Sequence, residues 1–556
     1  MLHRRLRAVV LATSGVLAIA LAGCSSSDAG ATGGGANAGG TSGALGGNGN
    51  GGNGAGASGA AGKGAAGASA GASAVGGGGA SGAAGGNGVG GAGGSGKGTL
   101  FRHGINMGAP PAGWTDQDEG LLSVQAGSDS NRIVLPEYFL EKWGVGVRTD
   151  ATTSYAANGM SELFCFLIGP SRMHSTAPAS VPDWQLDWYV AQNLHEPIFL
   201  ADGSVNPANY WAAYVAETVT TYKPWIHVWE VWNEPDWVSD YAVTMKWATA
   251  APTKDDLPRF NGSVFDYVRM LRITSEVAKK IDPNAKIALG GLGYPTFLGA
   301  LLRYTDDPSG GAVSASHPKK ADAYFDVMNY HYYPVFGKGS SDAGVDGFFQ
   351  LRDAFAAELA KAGVTGKTWN VTETGAPRVA LGTSPGGPVY AKNYLLKVML
   401  RAQAAGFLGV DWFDLADGAK DGASQDPFSF MGLYQSTTGL AKKEDAVRTD
   451  TGWASTTLGL LWKGALYDAA ATAALALPSA VDGGAFVLAD GHRGVALWAR
   501  ATGDESATAT YSLASATPVV AYAWDHAKTK TSTTLTPSGG AIALSLGATP
   551  QLFIVQ

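Results

Sequence analysis

Cysteine is nearly absent from this chain of 556 residues: Cys24 and Cys165 are the only two. Cys24 closes an N-terminal leader and Cys165 sits in the apolar run Leu163 to Ile168. A disulfide framework is therefore excluded, and Cys165 reads as a small core residue rather than a nucleophile. Charge is also sparse, at 15% of residues, and acids outnumber bases by 46 to 39 for a net charge of −7. No basic cluster stands ready for nucleic acid. The histidines His103, His174, His227, His317 and His331 are scattered, without a His-x-His or His-x-x-x-His pair. A zinc-hydrolase site is not expected, and no metal or cofactor is implied. Gly290-Gly291-Leu292-Gly293 lacks the spacing and the lysine of a phosphate loop. Gly382-Thr383-Ser384-Pro385-Gly386 fits an acyl-hydrolase motif, but no expected strand runs directly into it.

The leader carries Arg4, Arg5 and Arg7, an uncharged stretch from Val9 to Ala22, and then Leu21-Ala22-Gly23-Cys24. The stretch is too short for a spanning helix, which needs about 20 residues, and reads as an export signal over residues 1–24. Its end resembles the bacterial lipoprotein signal. That resemblance implies cleavage before Cys24, acylation of Cys24, and an exported protein held on the cell envelope by lipid. Each buried methylene of such chains contributes about 0.8 kcal/mol. Removing the three arginines from 39 cations leaves 36 against 46 acids, a net charge of −10.

From Ser25 to Gly98, 33 of 74 residues are glycine, and only Asp28, Lys63 and Lys97 are charged. Such a segment buries too little apolar surface to offset chain entropy, so residues 25–98 are expected to be a flexible linker. Its r.m.s. reach as a glycine-rich coil is on the order of 50 Å.

Ordinary globular composition begins after Gly98, with 45% hydrophobic residues over the whole chain to supply a core. Short β-rich runs alternate with helical patterns at Arg102 to Gly108, Val145 to Asp150, Leu163 to Gly169, Trp225 to Asn233, Lys286 to Gly293, Phe325 to Tyr333, Thr368 to Thr374 and Gly409 to Leu415. Helices are expected at Arg132 to Trp143, Pro207 to Tyr222, Val264 to Ile281, Gly347 to Ala362 and Val389 to Ala405. Eight βα units predict a (β/α)8 TIM barrel over 99–463. Downstream, seven short runs separated by turns predict an antiparallel β-sandwich over 464–556.

Reacting groups of such a barrel come from the C-terminal strand ends. The fourth run ends in Trp232-Asn233-Glu234-Pro235 and the seventh in Thr372-Glu373-Thr374-Gly375. Glutamates are seldom buried without a partner or a task, and two that face each other about 5 to 5.5 Å apart are what a retaining glycosidase needs. This pattern resembles glycoside hydrolase clan A, including its families 5 and 39, in which the Glu after Asn on strand four is the acid/base and the Glu on strand seven the nucleophile. The resemblance implies Glu234 and Glu373 in those roles. It further implies Arg148, in Val147-Arg148-Thr149-Asp150, as the strand-two arginine that keeps the nucleophile ionised. Asn233 would bond the sugar 2-hydroxyl, His331 and Tyr333 would form the strand-six His-x-Tyr with the Tyr hydroxyl on the nucleophile, and Trp412 would floor the subsite. Strand three runs into Gly169-Pro170-Ser171-Arg172 where family 5 usually has a His, which leaves family 39 or a further relative level with it.

Glu230, on the same strand face four residues deeper, is the rival acid, and His103 is a weaker candidate. Some of Trp114, Trp184, Trp188, Trp211, Trp232, Trp237 and Trp247 would line a glycan cleft, one wall of which the segment from Val238 to Gly262 is long enough to form. The expected partner is thus a poly- or oligosaccharide, with the membrane reached through Cys24. A catalytically silent carbohydrate-binding lipoprotein and a transglycosylase using the same glutamates are the competing readings. Sugar and linkage reside in loops whose shapes the sequence does not give.

Overall fold

Eight parallel strands close in chain order in the computed structural model, which describes residues 100–107, 114–160 and 162–556. They are β1 (Arg102–Asn106), β2 (Ser130–Val134), β3 (Glu162–Leu167), β4 (Ile226–Val231), β5 (Lys286–Leu289), β6 (Val327–Tyr332), β7 (Thr368–Thr374) and β8 (Gly409–Phe413). The expected export signal, the linker and Cys24 lie outside the described residues.

Register decides what fills the barrel. Paired residues on neighbouring strands project to one face. Asn106 pairs with Arg132 and Phe413, Phe166 with Glu230, Glu230 with Ala288, and Asn329 with Asn370. The inward set is therefore mixed. Phe164, Val228, Ala288, Val327 and Leu408 form an apolar cluster toward the strand N-termini. Above it lie Arg132, Glu230, Asn329, Asn370, Thr372 and Asp411, all buried. Gly104 makes room for one of them: a Cβ there would stand 1.8 Å from Asp411 Oδ1.

Outer helices bury the reverse faces of the strands. The helix Val264–Ile281 has the local signals in full: Ser263 and Asp266 form a reciprocal capping box, Lys279 and Lys280 close the last turn, and Tyr267, Leu271, Thr274 and Ala278 are buried at helical spacing. Cys165 is fully buried on β3, where burial holds its thiol well above the usual range. Among the described residues no helix is long and apolar enough to cross a membrane.

After the helix Asp450–Trp462, the chain forms β9 (Leu466–Tyr467), β10 (Val481–Val487), β11 (Arg493–Ala499), β12 (Thr508–Ala514), β13 (Val519–Tyr522), β14 (Ser532–Leu535), β15 (Ala541–Gly547) and β16 (Gln551–Val555). A six-stranded sheet in the order β14-β13-β16-β11-β10-β9 packs against the antiparallel pair β12-β15. Val495, Leu497, Leu513, Leu544 and Phe553 fill the space between them. This is the β-sandwich.

The two parts share one apolar cluster, to which the sandwich contributes Phe486, Trp498 and Leu552. A polar pin crosses the seam. Buried Lys397 donates to Asp342 Oδ2 at 2.7 Å, and Asp342 Oδ1 accepts from Trp498 Nε1 at 2.9 Å.

One strand departs from expectation. Val145 to Asp150 is a turn leading into the helix Thr149–Ala157, and β2 lies earlier, at Ser130–Val134. The expected helix Arg132 to Trp143 accordingly splits into the end of β2 and a helix at Glu137–Trp143. The cause is β2's lumen face: Ser130 and Arg132 point into a polar interior, so the strand shows no apolar run, whereas Val145 and Val147 imitate one.

Candidate active site

Glu373 ends β7 with its side chain in the barrel mouth and 1% of its area exposed. Arg132 Nη1 lies 2.5 Å from its Oε1, and Tyr333 donates its hydroxyl to Oε2 at 2.7 Å. Asn106 Nδ2 approaches Oε1 at 3.5 Å. One charge-assisted bond and one phenol bond thus fix both oxygens.

Arg132 is shared. Its Nε and Nη2 bond Glu230 at 2.9 and 2.7 Å, its Nη2 also donates to Asn233 Oδ1 at 2.7 Å, and its Cζ rests 4.1 Å from the Phe166 ring centroid. Glu230 is completely buried, and Thr372 donates to it at 3.2 Å. Burial raises the Glu230 carboxyl above its ordinary range against the pull of Arg132. Glu230 thus lies sealed beneath the guanidinium, whereas the Glu234 side chain keeps 14% of its area exposed.

Glu234 follows β4 on a strained turn. Trp232 has φ 73° and Glu234 φ 46°, left-handed values that cost a non-glycine residue on the order of 1–3 kcal/mol each. Tertiary bonds hold the turn: Trp232 N–H donates to Leu167 O at 3.0 Å, Glu234 N–H to Gly290 O at 2.6 Å, and Trp232 Nε1 to Arg259 O at 3.0 Å. Buried Asp236 accepts from the Gly293 and Tyr294 amides, tying this turn to the loop after β5.

His331 bridges the two glutamates. Its Nδ1 lies 3.0 Å from Glu234 Oε1 and 3.6 Å from Glu373 Oε2, and its Nε2 is 2.9 Å from Thr372 Oγ1. Burial lowers its pKa, but the Glu373 and Glu234 carboxylates outweigh burial, so the net shift is upward. The ligand atoms of Glu234, His331 and Glu373 all lie within 4.8 Å of one another. A cation of metal size would find suitable donors there, but it would meet the Arg132 charge on Glu373.

Two sequence-derived site residues sit elsewhere. Arg148 is not the arginine of this site. It precedes the helix Thr149–Ala157, pairs with Asp116 at 3.7 Å and stacks over Phe139, while its backbone N–H donates to Tyr222. Arg132 occupies the expected position. Trp412 is 1% exposed and turned outward, packed near Tyr394 with Nε1 on Met431 O at 2.7 Å. Strand alternation puts Phe413 on the mouth side instead, edge-on to Tyr333 at 6.0 Å between centroids. His103 is buried, with its backbone N–H on Asp129. Besides Arg132, sequence reasoning missed Asn106, Thr372 and Arg259. Asn106 and Thr372 lay within expected strands, and alternation from Gly104 would have flagged Asn106.

The glycine pair after β5 shapes the site. Gly291 has φ 61°, and a Cβ there would stand 2.1 Å from His331 Nε2. Gly291→Ala is therefore expected to displace the imidazole from both glutamates. It should lower kcat/KM on whatever glycoside is turned over by at least about tenfold, a barrier increase of about 1.4 kcal/mol, with an intact circular dichroism spectrum. Unchanged kinetics would show that His331 does not organise the pair.

Several carboxyls around the mouth are raised by burial, Asp187, Asp236 and Asp414 each up to about 7. A raised carboxyl keeps its proton in the fold after the unfolded chain has lost it, so stability falls as pH rises from about 4 to about 7. His331 acts in the same direction, its contribution being present below about pH 6.5 and lost as pH rises through its folded value. His103, lowered by burial, opposes them as a single group. Calorimetry is expected to give a higher Tm at pH 5 than at pH 8, with a smaller difference in Asp187→Asn; an undiminished difference in that variant would contradict the assignment.

Comparison with solved structures gives the same architecture. A family 39 glycoside hydrolase from the gut symbiont Bacteroides cellulosilyticus WH2 superposes with a TM-score of 0.55 at 16% identity, over 82% of this chain and 80% of that one. A conserved exported protein from Bacteroides fragilis matches with a TM-score of 0.50 at 10% identity, over 82% and 98% of the two chains. A family 30 endoxylanase from Clostridium papyrosolvens C71 follows at 0.48 and 14%, over 83% and 98%. No family model and no curated protein sequence matches. The chain shares the overall fold of the first two of these structures.

Proposed function

We propose that this protein is a retaining glycoside hydrolase that cleaves β-linked poly- or oligosaccharide outside the cytoplasm. The observation that carries the proposal is the pair of glutamates at the ends of β4 and β7, with one carboxylate oxygen of each within 4.8 Å of the other across the barrel mouth. Retaining glycosidases use carboxyls about 5 to 5.5 Å apart, and inverting ones need a wider gap for water.

The two glutamates have unlike surroundings, and these suit unlike tasks. Glu373, held by Arg132 and Tyr333, is suited to attack the anomeric carbon as a carboxylate. Glu234 keeps 14% of its side chain exposed at the mouth, suited to give its proton to the leaving oxygen. When the glycosyl ester forms, Glu373 loses its charge and Arg132 keeps Glu230 as partner. Glu234, now ionised, takes the proton of the incoming water, and the second displacement restores the starting configuration. Asn233, oriented by Arg132, would bond the 2-hydroxyl, and Phe413 takes the flooring role that Trp412 cannot.

The leader and Cys24, in the order that an acylated export signal has, support export and lipid anchoring. The test is release of reducing sugar from a broad panel of β-glycans by the purified protein, with proton NMR of the first product. The β-anomer is expected. A first-formed α-anomer, or binding without cleavage that survives Glu373→Ala, would overturn the proposal.

A further inference from the structure

Aromatic rings at the barrel mouth divide between the two glutamates. Tyr333 and Phe413 stand with Glu373: the Tyr333 hydroxyl donates to its Oε2, and Phe413 is edge-on to Tyr333. A second group stands with Glu234. Tyr294 follows β5, and Tyr241 precedes the short helix Ala242–Lys246 in the connection after β4. Their ring centroids are 6.0 Å apart, with the planes inclined at 52°. Burial and the Asp236 and Glu234 carboxylates hold the Tyr294 phenol above its ordinary range, so the ring lies within electrostatic reach of the expected proton donor.

The pair is open to solvent on one side and fixed on the other. Tyr241 is 42% exposed, and Met245, one helical turn on, is 61% exposed, while Tyr294 is half-buried. Trp247, fully buried, meets Tyr294 edge-on at 6.1 Å, and Arg303 Nη2 donates to the Trp247 carbonyl at 2.6 Å. Asp236, two residues beyond Glu234, accepts from the Tyr294 N–H at 2.8 Å. The turn that aims Glu234 thereby also positions Tyr294. Apolar surface held rigidly in water forfeits the gain of burial, and beside a reactive carboxyl it marks a place where a ligand lies.

The chemistry decides which part of the ligand. Glu234 is suited to protonate the leaving oxygen, so the departing portion of the substrate extends from Glu234, while the portion that forms the ester stays on Glu373. The rings beside Glu234 are on the departing side. A pyranose offers a C–H face to a phenol ring and hydroxyls to its polar tip, which suits tyrosine. A methyl group covers neither.

We propose that Tyr241 and Tyr294 form a subsite for the departing sugar, so that the protein cleaves bonds between two sugars of a glycan and disfavours glycosides with small non-sugar leaving groups. The inference rests on the glycosidase reading and deepens it by naming the substrate class. Binding at this subsite lasts only until the leaving group departs, so it enters kcat/KM through formation of the glycosyl ester and not through its hydrolysis.

β-Linked disaccharides of glucose, galactose, mannose and xylose serve as probes, each beside the methyl β-glycoside of its glycone sugar. For at least one pair the disaccharide is expected to react about tenfold faster or more in kcat/KM. Tyr241→Ala and Tyr294→Ala should each cut that ratio severalfold, and Tyr294→Phe, which keeps the ring, should cut it less. A β-glycosyl fluoride of the same sugar leaves the subsite empty, so each variant should lose several times less on the fluoride than on the disaccharide. Tyr241 is exposed and its loss spares the fold, so Tyr241→Ala decides should Tyr294→Ala fail to fold. Equal losses on fluoride and disaccharide mean that the rings only support the Glu234 turn, and overturn the proposal. So does a methyl glycoside that matches its disaccharide in every pair for the native protein. Either result leaves the glycosidase reading standing, whereas no cleavage of any glycoside removes both.

Discussion

Glu373→Ala is expected to lower kcat/KM by about 10⁴- to 10⁶-fold, the scale seen when a covalent nucleophile is removed. The fold should survive, because Arg132 retains Glu230 and Asn233 as partners. Exogenous azide separates the two glutamates. With an activated aryl β-glycoside, Glu373→Ala should yield the α-glycosyl azide, because azide enters the vacated nucleophile's space in a single inverting step. Glu234→Ala, which still forms the glycosyl ester, should yield the β-azide. Exchanged stereochemistry would reverse the roles, and activity within tenfold of the native protein in Glu373→Ala would remove Glu373 from the chemistry.

The second large effect concerns stability. Arg132 has no exposed side-chain area and holds Glu230 and Glu373, which are 0% and 1% exposed. Breaking a buried ion pair from one side typically costs about 3–5 kcal/mol, because the abandoned charge stays buried. Arg132→Met is therefore expected to lose about that much in denaturant unfolding, together with nearly all activity. Arg132→Met/Glu230→Met should recover part of the stability, since one orphaned carboxylate disappears, and none of the activity, since Glu373 and Asn233 still lack the guanidinium. A single substitution costing under about 1 kcal/mol would mean the cluster is solvated or protonated.

Much of this was legible in the sequence, and the exceptions have a common cause. Thr368–Thr374 and the helix Val264–Ile281 emerged with their boundaries intact, because each pairs strong periodicity with a clear stop. The Asn-Glu-Pro turn and the Glu ending β7 stood out as carboxylates next to apolar runs. β2 did not, because a barrel that carries charge in its lumen needs a strand whose inward residues are polar. Hydrophobic periodicity is blind to such a strand. The displaced strand then put Arg148 at a position that Arg132 occupies. Trp412 was misplaced by one residue of alternation: buried Asp411 faces the lumen with Gly104, so 413, not 412, reaches the mouth. Arg259 could not be found in sequence at all, since a single arginine in a long connection acquires meaning only when the loop folds back onto Glu234.

The most direct test is covalent trapping. A 2-deoxy-2-fluoro glycosyl fluoride matching whichever sugar the screen identifies slows hydrolysis of the ester more than its formation. Mass spectrometry of the inactivated protein should then find one adduct, on the peptide containing Thr372-Glu373-Thr374. An adduct on Glu234 or Glu230, or turnover of the parent glycoside with inversion and no adduct, would contradict the account.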